Sequence, residues 1–236
     1  MNIKLLSALT ATAAATALLG VSAPAQAFSF GTNGISFAQD QQVQFNFKES
    51  HGAYTSSLGI YQVQNSVASL VNTLFSETKA SDNGDANEWK GTLGKTVKGS
   101  GTVVYTFLAN QVYTLGLSSL YNGASAGTVY STSALNTGSA GSQQAVFGAA
   151  SPLWNALGKE TTNTFQAAGK FTDGTGSLSN AGTLISFDDR GNGNDADFQD
   201  FTVSAEAVPE PMTMTGLALG FGGLIAARRR RASKTV

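Results

Sequence analysis

Residues 42 to 48, Gln42-Val43-Gln44-Phe45-Asn46-Phe47-Lys48, alternate polar and apolar positions. That period of two is the pattern of an antiparallel strand with one face in a core. Ser57 to Gln64, with Leu58, Ile60 and Val63, predicts a second strand. Val67, Leu70, Val71, Leu74 and Phe75 then recur at i, i+3, i+4, i+7, i+8, which predicts a short amphipathic helix or a packed loop. Ser81 to Gly101 is polar and Gly-rich, a long loop or hairpin around Trp89. Val103 to Phe107 and Gln111 to Leu117 are β-rich runs flanking Ala109-Asn110, the best hairpin candidate in the chain. Gly127 to Ser131 predicts a further strand, and Gly138 to Ser142 a connector. Ser151-Pro152-Leu153-Trp154 has the N-cap and N1 residues of a helical turn. Thr183 to Phe187 and Phe201 to Val203 predict the last two strands. Many short strands, Gly-rich turns, no fixed repeat and no βαβ alternation argue an all-β sandwich or jelly roll. The domain spans 28–207, with its most β-like part over 99–204.

Both ends carry longer apolar runs. Residues 1–27 have a positive start at Lys4, an apolar stretch from Leu5 to Val21, and Ala25-Gln26-Ala27. This is the pattern of a signal peptide cleaved by signal peptidase after Ala27, leaving Phe28 as the new N-terminus. At the other end, Val208-Pro209-Glu210-Pro211 precedes the uncharged run Met212 to Ala227 and then Arg228-Arg229-Arg230-Arg231. Sixteen helical residues reach about 24 Å, and snorkelling arginines help such a helix fit a core of about 30 Å. The arginine cluster stays cytoplasmic, so residues 28–207 face outward.

The order and spacing over 208–231 resemble the PEP-CTERM sorting signal of Gram-negative bacteria and cyanobacteria. The resemblance implies that an exosortase, a membrane cysteine peptidase, recognises the motif and removes the helix 212–227. It implies a transient inner-membrane anchor, and then a place in the cell envelope, on the outer surface or outside the cell. Exopolysaccharide is the implied companion of such proteins. The residues agree, because each proline blocks a helix and favours the extended backbone that a peptidase binds.

Composition narrows the chemistry. The chain has 236 residues, 42% hydrophobic and only 12% charged, with 27 Gly and 4 Pro. No Gly-X-Y period is present, which excludes collagen. A formal net charge of −1 excludes nucleic-acid binding through a basic surface. With no Cys and one His, disulfides, Cys/His zinc sites and cysteine nucleophiles are excluded. Residues 28–207 hold 8 Lys and Arg against 14 Asp and Glu, net −6. That is a mildly acidic surface suited to water or hydrated polymer.

One segment carries chemistry. Phe187 to Phe201 places Asp188, Asp189, Asn194, Asp195, Asp197 and Asp200, with Gly191 and Gly193, between two hydrophobic strands. Oxygen ligands of this kind suit a hard cation such as Ca²⁺, although the spacing is not that of an EF-hand. A solvated loop of Asx-turns has the same composition, and both readings stand. With Tyr130 to Asn136 and Gln143 to Gly148, the run Asn194-Asp195-Ala196-Asp197-Phe198-Gln199-Asp200 resembles an uncharacterised β-sandwich family. That family occurs in bacterial surface and PEP-CTERM proteins and has an NDxDFxD segment near its end. The resemblance implies metal-assisted structure or adhesion.

Enzyme-like patterns are weak. Gly123-Ala124-Ser125-Ala126-Gly127 fits G-x-S-x-G, but a β-like run follows it and His51 precedes it, against the order of a nucleophile elbow. Gly94-Lys95-Thr96 lacks the first glycine of a P-loop, since position 89 is Trp89. His51 reads as a surface or strand-end residue. Glu49, Glu77, Glu88 and Glu160 are scattered along the chain, so a glycosidase pair is not nominated. The sequence therefore predicts a non-enzymatic exported protein of the cell surface or extracellular matrix. The alternative is a Ca²⁺-dependent glycan- or protein-binding adhesion module.

Overall fold

The computed structural model describes residues 28–82, 89–136, 143–148, 178, 182–189 and 198–208. Within them lie twelve strands. They are β1 (Phe28–Gly31), β2 (Gly34–Phe37), β3 (Gln41–His51), β4 (Thr55–Gln64), β5 (Val67–Ser76) and β6 (Lys90–Gly91), followed by β7 (Thr102–Phe107), β8 (Tyr113–Tyr121), β9 (Ala124–Tyr130), β10 (Ala145–Phe147), β11 (Thr183–Phe187) and β12 (Phe201–Ala207). One turn of 3-10 helix covers Ser133–Leu135. Sheet I runs β1-β2-β8-β4-β5, with β9 also on β8; sheet II runs β10-β11-β12-β3-β6, with β7 also on β3. All pairings between these strands are antiparallel. No helix among the described residues is long and apolar enough to cross a membrane.

The inward residues of both sheets form one core, so the chain is an all-β sandwich-like fold. In β3 the alternation does what the sequence predicts: Val43, Phe45 and Phe47 are buried, and Gln42, Gln44, Asn46 and Lys48 are not. Phenylalanines and Tyr113 lock the sheets together. Phe37 meets Phe107 at 5.5 Å, Phe107 meets Tyr113 at 5.1 Å, Phe47 meets Phe75 at 5.9 Å, and Phe30 meets Phe147 at 5.6 Å, each pair crossing between the sheets. Each fully buried side chain of this size contributes about 1.5–3 kcal/mol through area removed from water.

Three expectations are corrected. Val67 to Phe75 is not a helix but most of β5. Asn65 and Ser66 both have positive φ (50° and 63°), the requirement of a two-residue I′ turn, and it sends β5 back along β4. Along that pairing the register skips Val71 and Leu74. Two bulges insert two extra residues into a period of two, and the apolar spacing then imitates a helix.

Val103–Phe107 and Gln111–Leu117 do hold strands, but not a hairpin: β7 pairs with β3 in sheet II, and β8 lies in sheet I. Residues 108–112 cross between sheets. The crossing is fixed where Ala109 N–H donates to Asp40 Oδ1 (2.8 Å) and Asn110 N–H donates to the Phe37 carbonyl (2.8 Å).

His51 ends a strand as expected, but it is buried rather than at the surface. Within 81–101, β6 pairs with the end of β3, and Asp82 latches the turn by accepting from Thr92 N–H and the hydroxyls of Thr92 and Thr96, each at 2.9 Å. Gly138–Ser142, Ser151–Trp154, the 1–27 segment and 209–231 lie outside the described residues.

Candidate metal centre

Strands β11 and β12 pair with Phe187 opposite Phe201. The residues just beyond that pair must therefore sit side by side, and they are Asp188, Asp189 and Asp200. Asp200 N–H donates to the Phe187 carbonyl (3.0 Å), closing the ladder, and Asp189 N–H donates to Asp200 Oδ2 (2.7 Å). Asp188 N–H donates to the Gln144 carbonyl (3.1 Å), tying the group to β10. One carboxylate oxygen from each of the three aspartates lies within 4.8 Å of the others. Two oxygens on opposite sides of one Ca²⁺ are about 5 Å apart at the usual Ca–O distances. The trio therefore fits one shared ion.

Burial gives the cluster its electrostatics. Asp188 is 1% exposed and Asp189 6% exposed, and adjacent carboxylates held out of water repel one another. The β3 end forms the opposite wall. His51 N–H donates to the Asp200 carbonyl (3.0 Å), and Gly52, at φ +103°, brings bare backbone against the site. A Cβ there would lie 3.1 Å from Asp200 Oδ1 and 3.8 Å from Asp189 Oδ2. Only glycine adopts this φ and fits this approach without strain.

Further groups close in that sequence spacing did not reveal. Burial pushes the Glu77 carboxyl up to about 8, and the Asp189 charge adds to that, against hydrogen bonds from Ser50 Oγ and Ser56 N–H (2.6 Å) that favour its ionised form. Glu49 behaves oppositely. His51, with Nε2 at 3.6 Å, and Lys90, with Nζ at 3.0 Å, hold it down at about 2 despite partial burial. The Tyr54 phenol is pushed above its ordinary value by burial and then by Asp189, Tyr121 and Asp200, and its ring lies 5.1 Å from that of Tyr121.

The structure thus brings together Asp188, Asp189 and Asp200 of the six ligands expected; Asn194, Asp195 and Asp197 lie outside the described residues. Of the sorting residues, Val208 is described, and its N–H donates to the Gln42 carbonyl (2.9 Å). Pro209, Glu210, Pro211, the four arginines, Ala25 and Ala27 lie outside. Ser125 of the G-x-S-x-G stretch sits exposed in β9, just after the Asn122-Gly123 hairpin turn. Its Oγ accepts from Gly127 N–H (3.2 Å), and the strand runs on to Tyr130 where an elbow needs a helix. Comparison with protein-family models, with characterised proteins and with solved structures finds nothing that matches this chain.

Proposed function

We propose that the chain is an exported, non-enzymatic protein of the cell surface or extracellular matrix, sorted by its PEP-CTERM-like tail and braced by Ca²⁺ at the strand ends. The observation that carries this reading is where the last described strand ends. β12 pairs with β3 through Ala207, and Val208 N–H makes a further sheet bond, one residue before Pro209-Glu210-Pro211. A cut at that motif leaves every described strand in place. On this reading the sandwich is the cargo of the tail, and the run 212–227 serves its delivery. Signal peptidase and exosortase are the processing partners, and exopolysaccharide is the implied surrounding.

Glu210→Ala tests it. In membrane, envelope and matrix fractions of the native host, the variant stays membrane-bound and uncleaved while the parent is released with Phe28 at its N-terminus. Normal release of the variant would overturn the sorting assignment.

The adhesion reading has its own support, because the Tyr54–Tyr121 ring pair lies beside the carboxylates, where a sugar could stack near a bound ion. Glycan binding that EDTA abolishes is the outcome that favours it over an inert matrix component.

A further inference from the structure

The ladder registers give the sandwich two poles. The described chain enters and leaves at one of them. Phe28 pairs with Phe37, the last residue of β2, and β3 begins at Gln41. At that start of β3, Ala207 pairs with Val43 and Val208 N–H donates to the Gln42 carbonyl. Residues 108–112 and the Asn65-Ser66 turn complete this pole, since Asn110 N–H donates to the Phe37 carbonyl and Val63 N–H to the Val112 carbonyl (both 2.8 Å). Asp188, Asp189 and Asp200 lie at the other pole, beside Ser50 and His51. β3 runs from one pole to the other, and a strand from Gln41 to Ser50 covers about 30 Å.

The poles differ in chemistry. The lysines among the described residues, Lys48, Lys79, Lys90, Lys95 and Lys98, lie on β3 beyond Phe47 or in the stretch that packs on the end of β3 through β6. The pole of the chain ends has no described cation, and its carboxylates are Asp40 and Glu206. It exposes apolar side chains instead: Val67 is 64% exposed, Leu108 51% and Val112 47%.

Chain length decides what this pole faces. Past Val208, only Pro209, Glu210 and Pro211 precede the uncharged run Met212 to Ala227. At about 3.1 Å per residue for a proline-rich segment, Val208 to Met212 spans about 12 Å. The headgroup layer beside the hydrocarbon core takes up about 5–7 Å of that. The apolar stretch Leu5 to Val21 joins the domain at the same pole, through Phe28.

We propose, resting on the membrane segment read at 212–227, that the pole of the chain ends lies on the bilayer surface while the tail holds the protein. Val67, Leu108 and Val112 then sit among the headgroups, and the carboxylate pole points away from the membrane. The contact is apolar: no described cation at this pole meets anionic headgroups, and Asp40 and Glu206 are repelled by them. Three side chains already half covered bury less than one acyl chain, which itself binds only marginally, so the protein leaves the surface once the tail is cut.

The chain has no cysteine, so single cysteines carry a fluorophore to chosen positions of the full chain in phosphatidylcholine vesicles. Labels at Val67, Leu108 and Val112 report one pole. Leu120, 44% exposed and opposite Thr55, is the matched apolar control at the other, and Lys95 is a charged one. Headgroup-labelled lipid quenches the first three by about half or more, leaves Leu120 and Lys95 bright, and does so equally at low and high salt. An acyl-chain quencher reaches a label at Leu219. Equal quenching at both poles, or none at either while Leu219 is quenched, overturns the proposal alone. An unquenched Leu219 overturns the membrane reading with it. Labels at Leu108 and Val112 that are shielded from an aqueous quencher yet untouched by the lipid one assign the pole to another protein surface, which also overturns it.

Discussion

The two sheets use the same antiparallel ladder and a shared core, yet they treat polar groups differently. On sheet I the polar side chains satisfy one another as neutral hydroxyls in cross-strand pairs. Ser56 meets Ser119 and Ser57 meets Ser76, each at 2.9 Å, and Ser118 meets Thr128 at 2.7 Å. On sheet II the outward polar groups include ions: Gln44 donates to Glu206 (2.6 Å), and Lys90 pairs with Glu49. The buried carboxylates gather where β11 and β12 end. Neutral hydroxyl pairs are cheap to desolvate, whereas clustered carboxylates are not. Sheet I thus keeps its polar groups neutral and paired, whereas the end of sheet II concentrates buried carboxylates.

The largest expected effect comes from cutting the seam that makes the sheets one body. Phe107 on β7 is fully buried, and its ring centroid lies within 6.3 Å of those of Phe37, Phe45, Tyr105 and Tyr113, from both sheets. Phe107→Ala should cost about 3–5 kcal/mol in denaturant unfolding. Val104→Ala, on the outer face of the same strand and half exposed, should cost less than about 0.5 kcal/mol. Equal costs would mean that the sheets are not joined through Phe107.

Next in size is the response to metal, which should be confined to the sheet II end. A ligand bound only by the native state stabilises it by about 2.7 kcal/mol at a hundred times Kd, worth roughly 5–10 °C in Tm for a chain of this size. Calorimetry in Ca²⁺ and in EDTA should show that shift, and Asp189→Asn should remove most of it. An identical Tm in both buffers would mean that Asp188, Asp189 and Asp200 do not hold Ca²⁺ as a group.

How much of this contrast was legible depends on whether the information was local. The strands of sheet II announce themselves at Gln42–Lys48 through a period of two, with one face buried, and at Thr183–Phe187 and Phe201–Val203 through short runs of β-branched and aromatic residues. β5 was misread as a helix because two bulges disturb its period. The supposed hairpin around Ala109-Asn110 failed because strand propensity does not say which sheet a strand joins. Asp188, Asp189 and Asp200 could be proposed as neighbours because they flank two predicted strands. Glu77, Gly52 and Tyr54 could not, since only the long-range pairing of β3 with β12 carries Gly52 to the site. The Phe28–Phe37 hairpin was missed although its signal is present: Phe30, Ile35 and Phe37 are buried around a Thr32-Asn33-Gly34 turn.

A smaller effect tests the solvent side of sheet I. Gly59 and Gly116 face each other across β4 and β8, and Tyr61 covers them. A Cβ on Gly116 would lie 2.6 Å from Tyr61 Cε2 and 3.1 Å from Tyr130 Cδ1, in rings that pack edge to face at 5.4 Å. The Tyr61 hydroxyl is held by Ser118 at 3.0 Å, so its ring has little room to retreat. Gly116→Ala should cost about 1–3 kcal/mol by overpacking, and adding Tyr61→Ser should return part of it. A neutral Gly116→Ala would show that this uncharged face is loosely packed.

The smallest expected effect asks whether the ions of sheet II stabilise it at all. Glu49 has its folded pKa lowered from 4.5 to about 2, by His51 first and Lys90 second. A lowered carboxyl pKa means that the unfolded chain binds the proton more readily than the native one. Its stabilisation is therefore complete above pH 4.5 and is lost as pH falls from 4.5 through 2. The side chain is 20% exposed and its lysine partner 39%, so solvent screening reduces the contribution to about 1–2 kcal/mol. Glu49→Gln should lower stability by that amount at pH 7, and the gap between variant and parent should close by pH 2. Other carboxylates titrate over the same range, but they do so in both proteins and cancel in the difference. A gap that stays constant from pH 7 to pH 2 would place the effect of Glu49 in its packing, and the charges of sheet II would then stabilise the sandwich no more than the hydroxyls of sheet I.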